Sequence, residues 1–454
     1  MKTAAATIES APLCPRPRYG LPPGPRTPMA LQTLRYGLDP YGFFASAQRA
    51  FGDVFTVRVM REVWVILGDP DSVRQLYALR PDDVDSGAAN WSLRPLLGTQ
   101  NSLLLDGDEH LRRRKLVLPP FHGERMRAYE GLIRAATRGE LAAWPTDAPV
   151  RTLEAMQAIT LRVVLRAVFG VSEGPTFERL VRDLRRLMTW TTDMRRALVF
   201  GLLGPDRLAA LRGFQRQRRT VDDQLHAEIA ARRAASDLAS RTDILSLLLT
   251  ARDSDGHGLS DAELRDELVT LLVAGHETTA AALSWALLEL AADPVGQARL
   301  AAGESGLAEA AITEALRLHA PLALGGFRRL RRPLELAGWQ LPAGTTVAPC
   351  SFLLHRRADV YERPERWQID RFLAARPPAG AWVPFGGGVR RCAGAALAQF
   401  EARVVLDELV RTLELRPTGP LRDRVARRGI VTVPPRGGPV IAAPRSNQTG
   451  SQPR

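Results

Sequence analysis

Lysine and cysteine are both scarce in this sequence. The 454 residues contain two lysines, Lys2 and Lys115, so arginine carries almost all of the net charge of +13. The three cysteines, Cys14, Cys350 and Cys392, have no CxxC spacing. This usage argues against a disulfide framework and against a zinc site, and it is typical of a protein in a reducing compartment.

Arginine at this density has two explanations, a nucleic-acid-binding surface or the codon bias of a GC-rich genome. A nucleic-acid surface requires basic residues that cluster on one element and are interleaved with aromatic residues. The densest groups, at 112–115, 182–186 and 216–219, instead alternate with leucines at helical spacing. We therefore predict solvated helix faces and no nucleic-acid partner, with a positive surface for an acidic protein as the open alternative.

Long hydrophobic runs are also missing. No window of about eighteen uninterrupted apolar residues occurs, as a membrane-spanning helix would require. The first thirty residues lack the apolar centre of a signal peptide. We expect no transmembrane anchor and a cytoplasmic location.

Composition divides the chain into a long middle and two weakly ordered ends. Residues 11–28 hold seven prolines, and residues 434–454 are rich in Gly, Pro, Ser and Asn. No linker or internal repeat interrupts the middle. We predict a flexible tail at 1–21, one domain at 22–440 and a flexible tail at 441–454. Strand-like alternation is confined to 54–59, 63–67, 334–341 and 345–349, which predicts a mainly α fold with small β-sheets.

The clearest predicted helix begins at Ser260, which forms a capping-box pattern with Glu263, and ends before Pro294. Its thirty-odd residues would span about 50 Å, so we expect a central scaffold. The stretch 274–279, A-G-H-E-T-T, places one glycine and two threonines at its centre, where they weaken a helix. The threonines either bond back to the preceding turn or mark a local opening, with an acid and an alcohol facing a cavity.

Residues 385–394 read F-G-G-G-V-R-R-C-A-G and precede a helical run at 395–406. A cysteine just before a helix meets free backbone N–H groups and the positive end of the helix dipole, which favour a thiolate. Gly388 and Gly394 leave room for a flat macrocycle close to the backbone. We interpret Cys392 as the thiolate ligand of a haem iron. A structural Gly-rich turn is the alternative that these residues leave open.

Two further pairs share a helix face. His110 and Arg114, four residues apart, could together hold a carboxylate such as a haem propionate, and the alternative is a solvated basic face. Glu314 and Arg317, three residues apart, form E-x-x-R, which on its own indicates a surface ion pair.

In this order, these segments resemble the cytochrome P450 family from about Pro22 to Val440. The cysteine-loop signature of the family, F-x-x-G-x-R-x-C-x-G, is matched at Phe385, Gly388, Arg390, Cys392 and Gly394. The E-x-x-R motif falls on Glu314 and Arg317. The oxygen-activation pattern, A-G-x-[DE]-T-[TS], falls on Ala274, Gly275, Glu277, Thr278 and Thr279.

The resemblance implies a single-domain P450 fold with the long helix over haem b. It implies that Cys392 binds the iron, and that Glu277 and Thr278 organise the water that delivers protons. Further contacts to the haem would come from His110, Arg114, Ala274, Arg328, Phe385, Arg390 and Gly394. The neighbouring Arg329 leaves the choice of Arg328 open. The family also has a third ion-pair member, for which we choose Arg371 over the similarly placed Arg366.

The implied activity is that of a monooxygenase with a small lipophilic substrate such as a fatty acid, terpenoid, steroid or polyketide. We expect a monomer that receives electrons from a separate ferredoxin and ferredoxin reductase. By analogy with the family, the pocket would be lined by the segments 86–105, 181–211, 321–326 and 430–432. The competing functions are a peroxygenase or peroxide isomerase, and a haem sensor or electron carrier. Neither explains Glu277 together with Thr278.

Overall fold

The computed structural model describes residues 18–121, 123, 125–170, 174–192, 204–420 and 425–445. Most of the two predicted tails, together with Cys14 and His122, lies outside the described residues. Within the described part, strand β1 (Arg18–Tyr19) and strand β13 (Pro439–Pro444) include residues that the sequence assigned to the tails.

Helices make up most of the described chain. They are α1 Met29–Leu38, α2 Pro40–Phe51, α3 Pro70–Ala78, α4 Arg94–Leu97, α5 Gly107–Val117, α6 Arg125–Ala128, α7 Glu130–Leu141, α8 Thr152–Phe169, α9 Pro175–Thr192, α10 Pro205–Ala209, α11 Arg212–Arg233, α12 Ile244–Thr250, α13 Asp261–Ala291, α14 Pro294–Ala301, α15 Leu307–Leu318, α16 Ser351–Leu354 and α17 Ala395–Thr412.

The remaining strands are short and form small sheets. They are β2 Val54–Val59, β3 Glu62–Leu67, β4 Val84–Asp85, β5 Pro149–Arg151, β6 Arg328–Leu330, β7 Leu334–Leu336, β8 Trp339–Leu341, β9 Thr346–Pro349, β10 Leu413–Pro417, β11 Ala426–Arg428 and β12 Val431–Val433. Strand order is β2-β3-β9-β6-β4 in the largest sheet, β1-β8-β7 and β10-β13-β5 in two others, and β11-β12 in a hairpin.

Each predicted strand segment is confirmed, with one subdivision. The predicted strand 334–341 is a hairpin, because Ala337 and Gly338 adopt φ of 56° and 72° and turn the chain between β7 and β8. Positive φ at both central residues is the geometry of a tight hairpin turn. The strand-like alternation of residues continues through 334–341, so the sequence pattern did not indicate this turn.

Helix α13 is the scaffold that the sequence predicted. Ser260 and Glu263 form the capping box in both directions, and the helix runs 31 residues, which corresponds to about 46 Å. Buried apolar side chains of α8, α13, α15 and α17 form one core around it, with Trp285 of α13 among the largest fully buried residues. By length and composition α13 could cross a membrane, but 72% of its most apolar window is buried inside the protein.

The E-x-x-R pair is a buried ion-pair network, and the surface interpretation is wrong. The side chains of Glu314 and Arg317 are both 0% exposed, and Arg317 Nε donates to Glu314 Oε2 at 2.7 Å. Arg371 Nε donates to both oxygens of Glu314 at 3.1 Å, which confirms the choice of Arg371. Arg366 offers its carbonyl oxygen to both arginines. Two guanidinium groups therefore share one buried carboxylate between α15 and the segment before the cysteine loop.

The arginine group at 112–115 contains one residue that does not lie on a solvated helix face, contrary to the prediction. Arg113 of α5 is fully buried, donates to the carbonyl oxygen of Gln100 and to the carboxylate of Glu263, and lies 3.6 Å from Glu267 Oε1. Arginine is tolerated in this position because two carboxylates of α13 face it. Arg216 and Arg219 of α11 are exposed, as predicted.

Candidate active site

The cysteine loop, residues 385–394, is folded by its own glycines. Gly386 and Gly388 adopt φ of 63° and 62°, a region that favours glycine. A Cβ at Gly388 would lie 2.5 Å from the carbonyl oxygen of Tyr77, so the protein itself requires glycine at this position. The N–H of Cys392 donates to the carbonyl oxygen of Phe385 at 2.9 Å, which closes the loop just before α17.

Gly394 differs from Gly388. Its φ of −86° is available to any residue, and no protein atom lies within 4 Å of the Cβ that it lacks. Nothing within the described protein therefore demands glycine here. A flat group packed against the loop would demand it, which fits the macrocycle that the sequence predicted.

The side chain of Cys392 is exposed, although protein atoms surround it on most sides. Cys350, in contrast, is buried in the core. Burial raises the pKa of the Cys392 thiol, while the backbone N–H of Gly394 and the charges of Arg114 and Arg391 act in the opposite direction. The N–H at the helix start favours the thiolate, as the sequence predicted, but desolvation outweighs this effect. A bound metal ion deprotonates a coordinating thiol outright.

A cationic cluster lies beside the cysteine loop. We define it as Arg114 on α5, Arg328 on β6 and Arg390 in the loop, with Asp106 as its carboxylate. Burial is the main cause that lowers the pKa of all three arginines, to about 10 for Arg390. Arg390 donates to Asp106 Oδ1 at 2.7 Å and to the carbonyl oxygens of Leu105 and Ser102 at 2.6 and 3.1 Å.

The structure favours Arg328 over Arg329 as the member of this cluster. Arg328 is 6% exposed, donates to the carbonyl oxygens of Phe327 and Gly387, and has no carboxylate partner among the described residues. Arg329 instead lies 3.4 Å from Glu62 Oε1 on the other side of the strand. The alternation of side chains along β6 separates these two neighbours.

His110, on α5, completes the cluster as a neutral group. Its side chain is buried, and burial together with the charges of Arg390 and Arg114 lowers its pKa to about 4. A neutral imidazole still offers one N–H donor and adds no positive charge. His110 and Arg114 share one helix face, as predicted, and that face is directed inward.

The charges of this site fit the haem that the resemblance implies. Three guanidinium groups against one carboxylate leave an excess of two positive charges around His110. A haem carries two propionates, which match that excess, and buried cations require such compensation. Ala274, exposed on α13, and Phe385, partly buried against Trp382, belong to the predicted set as well.

Asp106 connects the cluster to the segment that the sequence predicted as pocket lining. Its carboxylate accepts the backbone N–H groups of Ser86, Gly87 and Ala88 at 2.7, 2.8 and 3.0 Å. One carboxylate therefore fixes both ends of the segment 86–105 and also Arg390. This role depends on a contact between residues far apart in sequence and was not predicted.

The centre of α13 remains α-helical, so the predicted local opening is absent from it. The hydroxyl of Thr278 donates to the carbonyl oxygen of Ala274 at 2.6 Å, one turn earlier. This is the back-bonding alternative that the sequence left open. The oxygen of Thr278 keeps its capacity to accept a hydrogen bond.

The carboxylate of Glu277 is buried and bonded, and it does not stand free in a cavity. Gln157 Nε2, on α8, donates to Oε1 and Oε2 at 2.9 and 2.8 Å, and Arg428 Nε, on β11, lies 3.1 Å from Oε1. Burial raises the pKa of Glu277, and Arg428 and Gln157 oppose that rise. No motif pointed to either partner, because each lies more than one hundred residues away along the chain.

Comparisons with known proteins agree with this geometry. A family model described as cytochrome P450 matches residues 21–303 and 306–439. Two proteins of Mycobacterium tuberculosis, named putative cytochrome P450 135A1 and 135B1, are 36% and 39% identical to this chain. These alignments cover 95% of this chain, and 97% and 94% of the respective relatives.

Solved structures show the same fold. The cyanobacterial CYP120A1, titled as bound to retinoic acid, gives a TM-score of 0.81 at 24% identity, over 95% of this chain and 100% of that one. CYP175A1 from Thermus thermophilus gives 0.71 at 28% identity, over 90% and 96% of the two chains. The predicted fold class, mainly α with small sheets around a long central helix, is confirmed.

Burial of His110 predicts a pH dependence of stability. Because its pKa is about 4 in the folded protein and about 6.5 when unfolded, the unfolded chain binds more protons between those values. The free energy of unfolding should therefore fall as pH falls through this range. In His110→Asn the fall should be shallower by up to about 1.4 kcal/mol per pH unit, measured by urea unfolding. His226→Asn, at an exposed histidine, is the control, and equal slopes in both variants would contradict the assignment.

Proposed function

The chain belongs to the cytochrome P450 family, whose members are haem-binding monooxygenases, and on this premise we propose the substrate class, electron source and residue roles of this enzyme. We propose that it inserts one oxygen atom of dioxygen into a small lipophilic substrate, with two electrons supplied by separate proteins. The observation that carries the proposal is the juxtaposition of an accessible cysteine with a buried cluster that has two uncompensated positive charges.

In this proposal Cys392 binds the iron through its sulfur. Arg114, Arg328 and Arg390 hold the propionates, with His110 as a neutral donor, and the missing Cβ of Gly394 leaves room for the ring. When bound, the haem supplies the redox chemistry that reduces one oxygen atom of dioxygen to water and transfers the other to the substrate. The protein supplies ligation, proton delivery and a shaped apolar pocket.

Thr278 and Glu277 are the groups that we assign to proton delivery. The hydroxyl of Thr278 donates to the carbonyl oxygen of Ala274 and can accept a proton-bearing water at the same oxygen. Glu277, the next residue toward the N-terminus, is a carboxylic acid. Its pKa is raised toward neutral pH, as a proton-transfer group requires. A peroxygenase would have no need for this pair.

Arg428 and Gln157 are positioning residues in this scheme. Both hold the carboxylate of Glu277 between α8 and the β11-β12 hairpin, and the charge of Arg428 favours its ionised form. The proton affinity of Glu277 therefore depends on a hairpin at the far end of the chain. No other described cation makes an ion pair with the carboxylate of Glu277. The ring of His276 lies 3.8 Å away, but burial lowers its pKa to about 3, so it is neutral near pH 7.

The apolar surroundings of the site support a lipophilic substrate, of the fatty acid, terpenoid, steroid or polyketide class. One turn beyond Thr278, Ala281 packs in a cluster with Leu153, Val431 and Val433, and Leu322 lies against it. Residues three apart on a helix share a face, so this cluster continues the face of Thr278. Two of the predicted lining segments, 321–326 and 430–432, therefore approach α13 beside the proposed site.

For the electron source we propose an acidic ferredoxin, itself reduced by a ferredoxin reductase. The net charge of +13 would attract such a partner, and Arg391, next to Cys392, is exposed and has no ion-pair partner among the described residues. We further propose that the enzyme is a monomer and that it is cytoplasmic. The free thiols of Cys350 and Cys392 agree with the reducing conditions of that compartment.

The ligand role of Cys392 predicts a spectral signature. The ferrous carbonyl complex of the wild-type protein should show the strongly red-shifted Soret band of a thiolate-ligated haem, because sulfur donates electron density to the iron. Cys392→His should abolish that band, whereas Cys350→Ala, at the buried cysteine, should keep it. If Cys392→His retained the shifted band, another residue would be the ligand.

The role of Thr278 predicts uncoupling. Thr278→Ala should bind haem and substrate as before, while product per NAD(P)H consumed falls by about 10²-fold and hydrogen peroxide accumulates, since a positioned proton-transfer group is lost. The control is Thr270→Ala, because Thr270 makes the same backward bond, to Asp266, on the same helix. Wild-type coupling in Thr278→Ala would reduce Thr278 to a packing residue and favour the peroxygenase alternative.

The positioning role of Arg428 predicts a change in pH profile. Arg428→Gln removes the charge that opposes the raised pKa of Glu277, so the fall in coupled turnover that follows ionisation of this acid should move to higher pH. Arg427→Gln, at the adjacent arginine that contacts Tyr36, should leave the profile in place. The carbonyl spectrum serves to verify folding in both variants. Superimposable profiles for Arg428→Gln and wild type would exclude a positioning role.

A further inference from the structure

Helix α1 places two polar residues inward and its three leucines outward. Gln32 and Thr33 are 0% and 7% exposed, and they accept the backbone N–H groups of Arg58 and Met60 at 2.8 and 2.9 Å. These two bonds dock the helix on β2 and the turn after it. The helix is therefore fixed to the protein by these two polar side chains and by the ring of Tyr36, which packs edge-on against Phe44 and Trp64, whereas its leucines take no part in the contact.

The opposite face is a row of leucines. Leu31, Leu34 and Leu38 are 44%, 40% and 67% exposed, and none of them belongs to a buried apolar cluster among the described residues. Their spacing of three and four residues places them on one stripe along the helix. Single exposed leucines need no explanation, but a stripe of three on an element anchored from behind indicates an interaction surface.

Arginines flank this leucine stripe. Arg26 and Arg35, before and within the helix, and Arg58 and Arg61, on the strand and turn that hold it, are all exposed, and none has an ion-pair partner among the described residues. The sequence from Ser10 to Leu38 contains no aspartate or glutamate. The surface thus combines exposed leucines with cations that have no ion-pair partner in the part of the chain that the structure describes, which is the composition of a helix that lies in a membrane interface.

The leucine stripe is connected to the proposed site by the β11-β12 hairpin. Arg427 Nη1 donates to the carbonyl oxygen of Tyr36 in α1 at 3.0 Å, and its guanidinium lies 4.6 Å from the centre of the Tyr36 ring. The next residue, Arg428, meets Glu277, and Ile430 at the hairpin turn is 55% exposed. The hairpin therefore joins this surface to the acid of the site.

We propose that α1 docks the enzyme on an anionic phospholipid surface, with Leu31, Leu34 and Leu38 inserted among the acyl chains and the flanking arginines at the headgroups. The charges of an acidic protein would pair with the arginines but would not cover the leucines. An anionic bilayer offers headgroups to the arginines and acyl chains to the leucines. Docking of this kind would bring the hairpin next to a reservoir of lipophilic substrate. The docking itself does not depend on the proposed function.

The test is sedimentation of the haem-loaded protein with lipid vesicles. Wild-type protein should bind vesicles of phosphatidylglycerol and phosphatidylcholine, bind pure phosphatidylcholine vesicles much more weakly, and lose affinity as salt rises. The variant L31Q/L34Q/L38Q should bind at least tenfold more weakly, and R26Q/R35Q should weaken binding and reduce its salt dependence. The matched control is V295Q/L373Q, because Val295 and Leu373 are 70% and 38% exposed on other parts of the surface.

The carbonyl spectrum is recorded for every variant, so a loss of fold is separated from a loss of binding. The proposal is overturned if the wild-type protein ignores anionic vesicles, if the triple leucine variant binds them as tightly as the wild type, or if V295Q/L373Q weakens binding equally. If the wild-type protein did not bind vesicles but formed a dimer that L31Q/L34Q/L38Q disrupts, the leucine stripe would instead be the contact with a second copy of the chain. Failure of any of these tests leaves the catalytic assignment untouched, since none reads out activity.

Discussion

The constraint on which the site depends is the burial of positive charge beside Cys392. Each guanidinium of the cationic cluster loses hydration on folding, at a cost of several kcal/mol, unless an anion faces it. Asp106 compensates one of the three, and His110 avoids adding a fourth charge because burial keeps it neutral. The two remaining charges match the propionates of a haem. With the propionates bound here, as we propose, binding of the cofactor and ordering of this region would be linked, since the cofactor would supply the missing anions.

The same cluster determines the geometry around the proposed pocket. Asp106 holds the backbone at Ser86, Gly87 and Ala88 and also Arg390 of the cysteine loop. The segment 86–105 is thus tied to the loop that presents Cys392. A change in this segment on substrate binding would reach the residues that we propose to hold the propionates through one carboxylate.

The β11-β12 hairpin connects the outside of the molecule to its centre within a few residues. Side chains alternate between the two faces of a strand, so Arg427 reaches outward to Tyr36 while Arg428 reaches inward to Glu277. The acid of the proposed proton path and the surface helix α1 are therefore held by adjacent residues. This arrangement gives the proposed docking surface a structural connection to the proposed site.

Features that rest on local pattern could be predicted from the amino-acid sequence. Ser260 with Glu263 located the start of α13, alternation located most strands, the Gly-rich turn before α17 singled out Cys392, and helical spacing placed His110 and Arg114 on one face. Arg371 was chosen as the ion-pair member from the family resemblance and not from local pattern. Features that depend on distant neighbours required the folded chain: the choice of Arg328 over Arg329, the buried state of Arg113, the continuity of α13 through Gly275, and the partners of Glu277. Gln157 lies 120 residues from Glu277, and no local pattern encodes such a contact. The pKa of Cys392 combines both kinds of feature. The helix terminus, which lowers it, is visible in the local sequence, whereas desolvation, which raises it, is the sum of everything that packs around the sulfur.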